Sequence, residues 1–116
     1  MEEIVWTVET FETRSGDKVV DDFVKNQQPQ AKAKIAHTVN LLEKHGNRLG
    51  MPHSKALGSG LFEMRIRGKE EIRILYCFKD RTIWLLHGFK KQTQQTPQKE
   101  INIAIQRMIS VNLTSV

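Results

Sequence analysis

Residues 61–89 read LFEMRIRGKEEIRILYCFKDRTIWLLHGF: three apolar-rich stretches separated by two short polar turns. In the first, Phe62, Met64 and Ile66 alternate with Glu63, Arg65 and Arg67. In the second, Ile72, Ile74, Tyr76 and Phe78 alternate with Arg73, Leu75 and Cys77. A period of two is that of a strand with one face turned to a core. The third, RTIWLLHGF, is apolar on both parities, as expected of a central strand covered on both sides. Gly68–Glu71 and Lys79–Arg81 are the turns between them. They are too short for a crossover, so the strands are expected to be antiparallel neighbours.

The flanking segments complete the fold. IVWTVETF, residues 4–11, alternates as a further strand, and RSGD breaks it. Val19, Val20, Phe23 and Val24 then form a helical stripe with Asp21 and Asp22 outside it. A second helix opens at Pro29, aligns Ala31, Ile35, Val39 and Leu42, and is capped by Gly46. Residues 46–60, GNRLGMPHSKALGSG, hold four glycines and a proline and read as a long loop. The last helix takes Thr96 as N-cap and Pro97 as its first residue, with Ile101, Ala104, Ile105 and Met108 as its apolar stripe. The expected fold is α+β in the order β-α-α-β-β-β-α. It has a mostly antiparallel four-stranded sheet, a helical hairpin and a C-terminal helix, with the helices packed on one face. Residues 1–110 form a single domain, and 111–116 are a fraying tail.

Charge narrows the function. The chain of 116 residues carries a net charge of +5, which favours an acidic partner. Eight of the thirteen acids lie at or before Glu43. Two segments have none: between Glu43 and Glu63 lie Lys44, Arg48 and Lys55, and between Asp80 and Glu100 lie Arg81, Lys90, Lys91 and Lys99. These segments either join into one positive surface or are separate solvated faces. Cys77 is the single cysteine, so no intrachain disulfide is possible and a reducing compartment is expected. No run of eighteen apolar residues exists to span a membrane. Glu2 and Glu3 stand where an export signal carries cations, so the expected location is the cytoplasm. His37, His45, His53 and His87 match no zinc spacing, and there is neither a glycine-rich phosphate loop nor a serine-nucleophile motif. No metal or cofactor is implied.

Arg65 and Arg73 sit in strands, where an unpaired guanidinium is costly to bury. Arg73 either pairs with Glu63 or Glu71 across the hairpin or projects with Arg65 into a groove that holds phosphate in its guanidinium forks. His87 shares the parity of Ile83 and Leu85, which suits a core histidine, but it also titrates in a useful range. Lys90 and Lys91 are either plain surface lysines or part of the same cluster. Arg65, Arg73, Lys90 and Lys91 on one side of the sheet would bind an RNA backbone. They would also stabilise a pentavalent phosphate during attack by the neighbouring 2′-hydroxyl, a reaction that needs no metal. Arg67, Arg48 and Lys55 are the further candidate backbone contacts.

The span LFEMR (Leu61 to Arg65), the Arg73-to-Tyr76 strand and the block HGFKK…TP (His87 to Pro97) resemble the RelE/ParE superfamily of toxins, in particular its HigB-type branch related to phage-derived proteins. The resemblance implies a type II toxin that enters the ribosomal A site and cuts mRNA, is held in check by a cognate antitoxin, and needs no cofactor. It implies phosphate-binding and transition-state roles for Arg65 and Arg73, a basic post-strand segment in Lys90 and Lys91, and a site role for His87. A gyrase poison of the ParE kind, or a phage-derived remnant that binds RNA or an antitoxin without cutting, shares the same fold.

Overall fold

A computed structural model describes residues 5–113. The three strands of residues 61–89 are its centre: β3 (Leu61–Ile66), β4 (Ile72–Lys79) and β5 (Thr82–Lys90) form an antiparallel ladder. β1 (Thr7–Thr10) adds to β5 in parallel, and β2 (Ser54–Gly58) adds to β3 antiparallel. The sheet therefore has five strands in the order β1-β5-β4-β3-β2, not four. The extra strand lies in the segment expected to be loop. SKALG has no β-branched or aromatic residue, so nothing local marks it. It becomes a strand through its hydrogen bonds to β3, with a register shift between Ala56 and Gly58. Ile4, counted above in the first strand, lies outside the described residues.

α1 (Val19–Lys25) and α2 (Pro29–His45) cover one face. Val20, Ile35 and Leu42 pack there with Met64, Ile66, Ile72, Ile74, Tyr76, Ile83 and Leu85. α3 (Gln98–Leu113) covers the other, where Ala104 and Val111 pack with Leu61, Leu75, Cys77, Leu86 and Phe89. The expectation of helices on one face is thus corrected. The apolar residues on both parities of β5 require a cover on each side, and α3 supplies the second. α3 also runs past residue 110, where the tail was expected to begin, because Val111 is buried and its carbonyl accepts from Lys79 Nζ at 2.7 Å. Residues 114–116 of that tail lie outside the described residues.

One irregularity in β5 has a large effect. Leu75 pairs with His87 and Tyr76 with Leu85, so Leu86 is an extra residue, a β-bulge. Beyond it the parity is reversed: His87 and Phe89 turn to the α3 side, and Gly88 turns to α1. A Cβ on Gly88 would lie 2.4 Å from the Phe23 ring, so only glycine lets α1 seat there.

Burial also leaves a titration signature. Cys77, under α3, has its thiol pushed from 9.0 up to about 11 by loss of hydration, with Lys79 opposing weakly. Tyr76, bonded to Ser54 at 2.5 Å, is raised for the same reason. A raised folded-state value means stability that is complete below the unfolded value near 9.0 and lost as pH rises towards about 11. The unfolding free energy from urea titrations is therefore expected to fall across that window, and less steeply in Cys77→Ala. Equal slopes would remove the thiol as a cause.

Candidate functional site

The α3 side of the sheet carries rows of charge beyond the apolar patch under α3. Strand register sets them: Lys55 lies opposite Glu63, and Arg65 opposite Arg73, which in turn faces Phe89. One step further, the Lys91 amide donates to the Glu71 carbonyl at 2.7 Å, which brings Lys91 beside Arg73. Glu63 is 1% exposed and Arg73 2%. Glu63 Oε1 lies 3.6 Å from Arg73 Nε and 4.0 Å from Arg65 Nε, and its Oε2 accepts from the Thr96 hydroxyl. Arg73 Nη1 also donates to the Ile72 carbonyl at 3.1 Å and contacts Glu71 Oε2 at 3.4 Å. Glu71 reaches Arg67 as well, at 3.8 Å. Arg73 thus takes both partners proposed for it, and Thr96 serves Glu63 rather than the amino end of α3.

The field of this group is seen at Lys91. Its ammonium has no ion pair or hydrogen bond among the described residues. Loss of hydration lowers its pKa; Glu63 opposes this, while Arg73, Arg65 and Lys55 add to it. A lysine held in this way has an increased neutral fraction and can accept a proton.

Three sequence-derived candidates stand apart. Lys90 is paired in register with Ile72, which puts it on the helical-hairpin face, and its Nζ binds Glu70 at 2.9 Å. The convergence of Lys90 with the arginines is therefore corrected: adjacent strand residues point to opposite faces, and only Lys91 joins the group. Arg48 lies in the 3₁₀ turn Gly46–Arg48, which rests on Trp6 and so on Phe78, at the far end of β4 from Arg73. Arg67 is at the margin, exposed and tied to Glu71.

His87 is not the hairpin-face core residue that its parity suggested; the bulge moves it under α3. Nε2 lies 3.0 Å from Glu100 Oε1 and Nδ1 3.3 Å from Arg107 Nη1. A guanidinium only donates, so Nδ1 accepts and the proton sits on Nε2, directed at Glu100. Arg107 is fixed in turn by the Leu86 carbonyl at 2.8 Å and by the Phe11 ring. Glu100 and Arg107 were not singled out from the sequence; Glu63 was named there only as a pairing partner for Arg73, and Thr96 only as the cap of the last helix and part of its motif. Among the described residues no group of three or more His, Cys, Asp or Glu side chains is placed to hold a metal ion, and no helix is long and apolar enough to cross a membrane.

A five-stranded sheet with helices on both faces, and a cluster of Arg65, Arg73 and Lys91 about the buried Glu63 beside α3, define a small α+β protein. The model of the family described as Phage derived protein Gp49-like (DUF891) matches residues 22–109, and the chain belongs to that family. It is a toxin–antitoxin-related family, RelE-like in kind. No curated protein matches the chain.

Proposed function

We propose that this protein is the toxin of a type II toxin–antitoxin system, of the HigB type, and that it cuts mRNA on the ribosome. The observation that carries this reading is the gathering of Lys55, Arg65, Arg73 and Lys91 on one face around a single buried carboxylate. Phosphate is the ligand whose charge and geometry suit two guanidiniums and an ammonium. The RNA 2′-hydroxyl is the nucleophile, so the reaction calls for no metal. Arg65 and Arg73 stabilise the charge that builds on the phosphate, and Lys91 is placed to take the 2′ proton. His87 pairs with Leu75, two residues along β4 from Arg73 on the same face, and its imidazolium form, released from Glu100, is the candidate donor to the leaving 5′ oxygen. Lys55 and Arg67 extend the positive track for the RNA backbone. The partners are the ribosome with its mRNA and a cognate antitoxin, whose acidic segment competes for the groove, and the place of action is the cytoplasm.

Induced expression in a bacterium tests this, with growth and mRNA 5′ ends followed after induction. The wild type is expected to arrest growth and leave new in-frame cleavages in translated messages. Arg65→Ala, whose side chain is 15% exposed, is expected to stay folded and to lose about 10²-fold in cleavage rate. Arrest with DNA damage and intact messages would instead identify a gyrase poison. Absence of arrest would identify a non-cleaving binder.

A further inference from the structure

Glu63 is out of place in a site for anions. It is buried, and its charge weakens the positive field of the four cations around it. Neutralising Arg73 would account for one contact, but Glu63 makes three, to three separate elements. It meets Arg65 on β3, Arg73 on β4, and Thr96 in the segment between β5 and α3. Both arginine contacts are through Nε, the inner edge of the guanidinium. Arg73 Nη1 is committed to Ile72 and Glu71, and Arg65 Nη1 lies 3.4 Å from Met51 Sδ. Among the described residues neither Nη2 has a hydrogen-bond partner. The carboxylate therefore lies behind both guanidiniums as an ion-pair partner, without a hydrogen bond to either buried Nε, and leaves the outer Nη2 of each uncommitted. Through Thr96 it also ties down the segment that starts at Lys91.

We propose that Glu63 is the positioning residue of this site: it sets the spacing of Arg65, Arg73 and Lys91 about one RNA phosphate, with Thr96 as the latch for the lysine-bearing segment. The inference rests on the RNA-cleaving reading above and goes beyond it by giving the buried acid a task. Glu63 transfers no proton, because it is enclosed, with Oε2 bonded to Thr96 and Oε1 turned to the two arginines.

The test is single-turnover cleavage of a short mRNA on programmed bacterial ribosomes, with the full chain. Glu63→Gln keeps the shape and loses the charge. It is expected to lower the maximal rate about tenfold or more while the half-saturating concentration changes less than about threefold, since most binding comes from the outer cations. Thr96→Val is expected to lower the rate in the same way, and Thr96→Ser to recover it. The double variant Glu63→Gln with Thr96→Val should be no slower than Glu63→Gln alone, because both act through one hydrogen-bonded unit. Wild-type rates in Glu63→Gln, or equal losses in Thr96→Val and Thr96→Ser, would overturn the proposal. If melting shows Glu63→Gln to be unfolded, the Thr96 pair decides, since that side chain lies at the partly exposed edge of a loop. If the wild type itself leaves mRNA intact, the cleavage reading fails, and a second measurement judges Glu63 separately. The Lys91 ammonium, followed by NMR of its ε carbon, should titrate at lower pH in Glu63→Gln; an unchanged midpoint would overturn the arrangement.

Discussion

Arg73→Ala is expected to slow mRNA cleavage by about two to three orders of magnitude and to unfold at a temperature lower by roughly 10 °C or more. Both effects come from one place. Arg73 is 2% exposed and is the closer cationic partner of Glu63, at 3.6 Å against 4.0 Å for Arg65. Removing one member of a buried pair leaves the other charge uncompensated, which costs about 3–5 kcal/mol. Arg65 and Thr96 remain on Glu63, so the lower end of that range applies. The loss in cleavage rate is expected to be about 10²–10³-fold, the usual scale for removing a donor that faces developing charge. A second variant separates the two effects. Arg73→Met combined with Glu63→Leu replaces the buried pair by apolar side chains and should recover most of the stability, because such exchanges are near neutral. It should recover none of the cleavage. Thermal melts followed by circular dichroism and mRNA 5′-end mapping read the two quantities. Cleavage by the stable double variant would remove Arg73 from the chemistry.

Gly46→Ala is expected to lower stability by about 3 kcal/mol or more, without touching the basic groove. Gly46 ends α2 with φ 53° and ψ −123°, a region that side chains avoid. A Cβ there would lie 2.1 Å from Trp6 Nε1. Trp6 cannot yield easily: its amide donates to the Glu43 carbonyl at 2.9 Å, its ring packs edge-on to Phe78, and Arg81 lies over it. Backbone strain and overpacking therefore act together. The urea midpoint should fall sharply, whereas Gly50→Ala, with no atom near its Cβ and no left-handed backbone, should change stability by less than about 1 kcal/mol. Similar midpoints for the two variants would show that Trp6 does not hold this helix end.

Much of the basic groove was legible because strand parity is a strong local rule. Glu63, Arg65 and Arg67 on one face, and Arg73 opposite Arg65, follow from alternation and a short turn. The limits of the same rule explain the misses. Parity counted across Leu86 put His87 on the wrong face, since a bulge is set by pairing with β4 and leaves no mark in WLLHGF. Counting Lys90 together with Lys91 ignored that adjacent strand residues diverge.

The sequence by itself determined the elements whose side chains carry a period: the first strand, two amphipathic helices, three central strands and an amphipathic final helix, in an α+β order. It also determined that positive charge would gather near the end of β5. Only the tertiary structure decided the rest. β2 is a strand because β3 offers it hydrogen bonds. α3 lies opposite the helical hairpin because β5 has two apolar faces to cover. The hairpin already offered Glu63 to Arg73, but that Thr96 joins them was decided by the fold, because the folded sheet brings the segment before α3 to the same point and no local pattern encodes that meeting.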